Sequence, residues 1–323
     1  MKKRMTIWFV ILVISLLFYL GCSKNGDSAN KILVVHSYNL DYEWTKKIND
    51  GIDENLEGKD YIVETYFMDT KRHTSEEFKI NSGKKALQKV KSFKPDVIIA
   101  SDDNAQEYFG KIVVEKFDIP LVFCGVNSDI QKYNYGNKNV TGILERPKIN
   151  KTLNILEEAL GSIDTYTIIN DNSPTAVGFI DNFILLEKYD KVKNTVLTND
   201  FMEWKSAVNN LDTDALIIFT YHTIEGVKAA EVMKWTRENV NIPSVGFLDF
   251  SVSDGLLMGV VESGYEHGKI AANMAGKILD NTAANKIKIV TASQGKVLVN
   301  KTTAEKLGLD LSQFAKWTDE IIE

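Results

Sequence analysis

Cysteine is nearly missing from this chain, which has two in 323 residues, Cys22 and Cys124. So few thiols exclude a disulfide scaffold and a cysteine-built zinc site. Four histidines, His36, His73, His222 and His267, stand at no mutual metal-ligand spacing, so no metal is expected. Basic clusters are missing too: 38 Lys and Arg face 44 Asp and Glu, for a net charge of −6, and no basic stripe runs downstream. That removes the electrostatic footprint of a nucleic-acid binder. No Gly-x-Gly-x-x-Gly follows the first aliphatic run and no Gly-x-Ser-x-Gly occurs, while 264–269 lacks the glycine spacing of a P-loop. Ser, His and Asp occur without a triad pattern. Neither catalysis nor a cofactor is expected.

What is present begins at the N-terminus. Lys2, Lys3 and Arg4 precede an apolar run over 7–20, closed by Gly21, Cys22 and Ser23. This is the layout of a secretory signal, and a Cys after the small residue resembles a lipobox, with Tyr19 where leucine is usual. The run is shorter than the roughly 20 residues that span a bilayer. The reading is a signal peptide over 1–21, diacylglycerol on the Cys22 thiol, and a polar tether over 22–30. The protein is then extracytoplasmic and held at the cell membrane by lipid. Taking the three basic leader residues from 38 leaves 35 against 44 acids, a net −9. Cys124, within the apolar run 120–125, reads as a small buried packing residue.

Beyond the tether, short β-rich runs alternate with amphipathic stretches, which points to α/β units with parallel sheets. The runs 31–36, 61–68, 96–101 and 121–125 are strands; helices follow from a cap at Asp41 and over 75–93. Trp44, Ile48, Ile52 and Leu56 repeat every four residues on one helical face. The second half repeats the plan. The run 166–170 matches the first strand, Ser173 and Pro174 open a helix, 95–102 is echoed by 213–220, and 119–123 by 242–246. The expected fold is therefore α/β, with two similar doubly wound parallel-sheet lobes. Ligands of such sheets bind beyond the carboxyl ends of the strands, so facing lobes would share one cleft.

Those strand ends resemble a known family. His36-Ser37-Tyr38, Glu43-Trp44-Thr45, Ala100-Ser101-Asp102-Asp103-Asn104, Gly125-Val126-Asn127 and Val140-Thr141-Gly142 are similar to ABC transporter substrate-binding proteins of the tryptophan/tyrosine type. So are Gly264-Tyr265-Glu266-His267-Gly268 and the segment 297–304. The resemblance implies a type I periplasmic-binding fold with a three-segment hinge, crossing near 142–146, 250–255 and 281–286. Lobe 1 would comprise 31–142 with 254–282, including a strand over 256–261 and a helix over 265–279. Lobe 2 would comprise 143–253 with 283–323. It further implies a small polar ligand, an amino acid with aromatic ones among the candidates, delivered to a permease served by separate ATPase subunits. A monomer is expected. Two rival roles stand beside this one: a sensing partner of a membrane signalling protein, and an extracytoplasmic enzyme on the same scaffold.

Candidate ligand contacts are the polar and aromatic residues at the strand ends. The first lobe offers Ser37, Tyr38, Trp44, Ser101, Asp102, Asp103, Gly125 and Asn127, with Arg146 behind the hinge strand. The second offers Asn172, Ser173, Tyr221, His222 and Asp249. Asp102 and Asp103 read either as acceptors for a ligand ammonium or as helix-capping groups. Arg146 reads as a carboxylate grip or an exposed charge. Trp44 falls on the helix's apolar face and reads first as core; Tyr38 and Tyr221 read as aromatic walls.

Overall fold

The computed structural model describes residues 29–136, 139–161, 163–184, 187–292 and 295–323. The signal peptide, Cys22 and nearly all of the tether lie outside the described residues. No described helix is long and apolar enough to cross a membrane.

The strands are β1 (Asn30–His36), β2 (Tyr61–Phe67), β3 (Val97–Ser101), β4 (Leu121–Val126), β5 (Val140–Leu144), β6 (Tyr166–Asp171) and β7 (Val192–Thr198). They continue as β8 (Ala215–Ile217), β9 (Ser244–Val245), β10 (Met258–Val261), β11 (Val290–Thr291), β12 (Lys296–Asn300) and β13 (Glu320–Ile322). One sheet runs β11-β5-β4-β3-β1-β2 and the other β13-β12-β10-β9-β8-β6-β7. The first is parallel throughout; in the second, β12 pairs antiparallel with β10, Met258 opposite Val299. Strands β3 and β4 are buried along their whole length, as expected where helices cover both faces. The Cys124 thiol sits in β4, fully buried, and burial pushes its pKa well up.

Sheet membership corrects the expected division of the chain. The resemblance puts the strand over 256–261 in the first lobe, but β10 extends the second sheet beside β9. The chain therefore returns to the first lobe only after Val261, at 262–263, and not near 250–255. It leaves again after β11, whose Val290 and Thr291 pair with Ile143 and Leu144 of β5, and not near 281–286. Aliphatic strands carry no mark of which sheet they join, and a two-residue strand carries no period at all.

Helix Glu43–Leu56 buries Trp44, Ile48, Ile52 and Leu56, the stripe visible in the sequence. Its N-cap is Tyr42, with no side-chain cap; Asp41 instead lies 3.3 Å from the Arg72 guanidinium. Helix Gly264–Leu279 lies against it, with Gly51 of one and Gly264 and Gly268 of the other at the crossing, where an added Cβ would meet backbone. The segment after β3 is helical from Asp102 to Lys116 with a π turn over Gln106–Gly110. Buried Gln106 reaches back to the Ala100 carbonyl (2.9 Å) and takes a hydrogen bond from the Tyr135 hydroxyl (2.7 Å).

Candidate functional site

The carboxyl ends of β1, β2, β3 and β4 meet at one rim of the first lobe. Beyond β1, the Ser37 hydroxyl donates to the Ser101 carbonyl and accepts from the Ala105 N–H, both at 2.7 Å. Thr70, just after β2, donates its hydroxyl to the Ser37 carbonyl at 2.7 Å and receives the Asn104 amide at 2.9 Å. These bonds lock the strand ends and leave Tyr38 and Lys71 facing the second lobe. The opposing rim carries the start of helix Pro174–Phe183, where Ser173 accepts from the Ala176 N–H and donates to Asp171 at 2.6 Å.

Between the rims lies a cavity of about 390 Å³. Tyr38, Thr70, Lys71, Asp103 and Asn127 line it from the first lobe; Asn172, Ser173, Thr175, Asn199 and Thr223 line it from the second. The Tyr38 hydroxyl and the Thr175 hydroxyl approach to 3.3 Å across the gap. A narrow recess of about 10 Å³, room for about one water, opens beside Tyr38, Lys71, Asn127 and Thr175 and reaches Tyr42, Trp44, Asp102 and Glu145.

The recess holds two buried carboxyls. Asp102 is 3 % exposed and sits at φ +64°. Burial pushes its pKa up to about 7, against the pull of the Trp44 indole N–H at 2.9 Å and the Ser101 hydroxyl at 3.2 Å. Glu145 is raised well above the carboxylate range by burial and then by the nearby charges of Glu262, Asp102 and Asp103; the Asn127 amide donates to it at 2.9 Å. Asp171, on the second rim, behaves oppositely. Burial works to raise it, but Lys71, Ser173, Thr220 and the Thr223 N–H together hold it below the usual value. The rims thus present carboxyls of different charge state, with one ammonium between them.

Among the described residues no three His, Cys, Asp or Glu form a metal-binding group. The arrangement can enclose a small molecule, offer it hydrogen bonds from both lobes, and lay it against an aromatic ring.

The sequence matches the family model for ABC transporter substrate binding protein over residues 39–315. The chain belongs to that family. Among curated proteins none matches the sequence. Of solved structures, a conserved domain protein from Vibrio cholerae is similar at 17 % identity and a TM-score of 0.73, covering 91 % of this chain and 99 % of that one. The ABC domain from Streptococcus pneumonia in complex with L-Trp is 16 % identical with a TM-score of 0.72, covering 91 % and 100 %. A ligand-free, open substrate-binding protein with adhesive properties from Clostridium difficile is 17 % identical with a TM-score of 0.68, covering 91 % and 100 %. The fold is the type I periplasmic-binding fold. Membership in a substrate-binding family gives the coarse role, small-molecule capture outside the cytoplasm for an ABC permease.

Within this binding protein the expected contacts divide sharply. Tyr38, Asp103, Asn127, Asn172 and Ser173 line the cavity, and Trp44 and Asp102 its recess. Asp103 is already engaged: its carboxylate accepts from the Asn127 and Ser128 N–H groups and the Tyr133 hydroxyl (3.0, 3.1 and 2.5 Å) rather than capping a helix. Ser37, Ser101 and Gly125 lie behind the rim. The Ser101 hydroxyl meets His36 Nδ1 at 2.8 Å, and Gly125, at φ +64°, donates its N–H to His267 Nδ1 at 3.2 Å.

Four expected contacts are elsewhere. The Arg146 guanidinium donates to the Val126, Asn127 and Glu145 carbonyls at 2.6–3.1 Å, fastening the hinge instead of gripping a ligand. Tyr221 is fully buried with its hydroxyl on Asp254 at 2.6 Å. His222 stacks on Tyr221 and meets Tyr42 edge-on, and burial followed by the Lys71 charge lowers its pKa to about 3. Asp249 pairs with Lys47 at 2.7 Å, joining the lobes away from the cavity. Sequence reasoning missed Lys71, Thr175 and Glu145. Lys71 follows β2, whose end belongs to the same rim, so the strand-end rule would have found it.

Proposed function

We propose that this is a lipid-anchored, monomeric solute-binding protein of an ABC importer whose ligand is an amino acid, aromatic by preference. The observation that supports this reading best is the cavity itself. It lies between two lobes, draws polar groups from both, and at about 390 Å³ falls in the range of small-molecule sites. Tyr38 offers a ring face, and the Asp102 and Glu145 carboxyls offer acceptors to an ammonium. A similar fold from Streptococcus pneumonia holds L-Trp. Closure follows from differential affinity, since only a ligand that touches both lobes favours the closed state.

Thermal denaturation against a panel of L-amino acids and nucleosides tests the ligand class. A true ligand at 100 times its dissociation constant adds about 2.7 kcal/mol, which raises Tm by roughly 4 °C at this size. Stabilisation by nucleosides alone would remove the amino-acid reading and leave the fold untouched. The anchor has its own test. Cys22→Ser is expected to move the protein out of the fatty-acid-labelled membrane fraction, because it removes the thiol that carries the acyl chains. Undiminished labelling of that variant would refute lipidation at Cys22.

A further inference from the structure

Glu262 is 1 % exposed and His267 is fully buried, and neither lines the cavity or its recess. The Glu262 N–H donates to the Phe247 carbonyl at 3.0 Å, which fixes this backbone to the second lobe. His267 stands on helix Gly264–Leu279, packed on the first lobe. The two side chains meet at 3.2 Å, imidazole Nε2 to carboxylate. The other ring nitrogen, Nδ1, takes the Gly125 N–H at 3.2 Å. A backbone N–H can only donate, so Nδ1 keeps its lone pair and the ring proton sits on Nε2, aimed at Glu262.

The remaining partners of the carboxylate belong to the hinge. The Arg146 N–H lies 3.2 Å from both oxygens, and the Lys148 ammonium lies 3.3 Å from one of them. Lys148 also reaches the Ala292 carbonyl at 3.4 Å. Positions 146–148, 262 and 292 fall on the three crossings between the lobes, so one buried carboxylate gathers them all. Gly125, at the far end of this chain of contacts, abuts the recess. A Cβ there would stand 2.9 Å from Asp102 Oδ1 and 3.2 Å from Trp44 Nε1. Two residues on, Asn127 lines the cavity. The His267 ring itself lies 5.3 Å from the Trp44 ring.

We propose that Glu262 is a positioning residue for solute capture: it fixes the His267 proton on Nε2, leaves Nδ1 to hold Gly125, and so ties the ligand wall at 125–127 to the hinge. An amide cannot replace it. Glu262 offers two acceptor oxygens and faces donors only, whereas glutamine offers one oxygen and must aim its NH2 at a donor or at the ring. If the ring accepts from that NH2 through Nε2, its proton moves to Nδ1 and opposes the Gly125 N–H, donor against donor. This rests on the solute-binding reading above and deepens it: the carboxylate held by the hinge segments also sets the wall that the solute meets.

Nitrogen NMR of the histidine rings reads the tautomer, with the His267 signal assigned by its loss in His267→Gln. The parent is expected to carry the Nε2–H form, and Glu262→Gln is expected to shift the ring to Nδ1–H. Hydrogen exchange gives a second readout. The Gly125 amide should exchange about 10-fold faster in Glu262→Gln, while Val34 and Ile99 in the strand interiors keep the parent rate, a split that general loss of stability does not produce. In calorimetry, whichever L-amino acid or nucleoside stabilises the parent should bind Glu262→Gln about 10-fold more weakly. An Nδ1–H ring in the parent overturns the proposal before any variant is made. An unshifted tautomer, unchanged Gly125 exchange or unchanged affinity in Glu262→Gln overturns it as well. The first two readouts need no ligand, so they stand apart from the success or failure of the amino-acid reading.

Discussion

Gly268→Ala will destabilise the protein by about 3 kcal/mol, the upper end of the usual cost of overpacking. Propensity alone argues the other way, since alanine is worth about 1 kcal/mol over glycine inside a helix. Packing decides the sign. A Cβ on Gly268 would lie 2.0 Å from the Ile48 carbonyl oxygen and 3.0 Å from the Ile52 nitrogen, and both are backbone atoms of the facing helix. Gly51 answers from that helix: its Cβ would stand 2.2 Å from the Tyr265 carbonyl oxygen. No side chain can swing aside, so the two helices must separate along the crossing, loosening Trp44 and Ile48 from the core. Gly51→Ala should cost a similar amount, and the double variant less than the sum, because one separation accommodates both. Urea denaturation at neutral pH measures each. A Gly268→Ala midpoint equal to or above the parent's would show that the helices are not held this close.

The same glycines show what sequence could and could not reveal. Gly264-Tyr265-Glu266-His267-Gly268 carries the family resemblance, but no pattern in it names the facing helix or the closeness of the approach. The α/β alternation is legible because β1, β3 and β4 are aliphatic on both faces and the helices carry a clean apolar stripe. The lobe membership of β10 is not. Its Met258-Gly259-Val260-Val261 suits either sheet equally, and only tertiary pairing with Val245 and Val299 assigns it.

At the site, the strand-end rule places Tyr38, Asp103, Asn127, Asn172 and Ser173 on the cavity wall because strand direction alone carries that information. It fails where inter-lobe contact reuses a turn residue. His222 lies in a turn, yet its ring is packed by Tyr42, Tyr221 and Phe250. Arg146 has the chemistry of a carboxylate grip, but three carbonyls at the hinge take its guanidinium first. Composition supplies the candidates; competition among neighbouring acceptors settles their use, and that competition is a property of the folded state.

Asp102 carries the second large effect. Its folded pKa of about 7 lies above the roughly 3.9 of an unfolded aspartate, so the folded protein keeps this proton to higher pH than the unfolded chain does. Its contribution is therefore neutral below pH 4, turns increasingly unfavourable between pH 4 and pH 7, and stays so above. A rise of that size corresponds to a penalty on the order of 4 kcal/mol. Asp102→Asn removes the titration while keeping the shape. Asparagine tolerates φ +64° at least as well as aspartate, its oxygen can accept from the Trp44 indole, and its amide can donate to the Ser101 hydroxyl. That hydroxyl is then free to donate to His36, which burial keeps neutral with a pKa lowered to about 4. The variant should match the parent near pH 4 and exceed it by about 3 kcal/mol at pH 8, with the gap opening between those values. Chemical denaturation across that range reads the difference directly. A gap that is constant with pH, or a variant weaker than the parent at pH 8, would mean that Asp102 is ionised and well compensated where it lies.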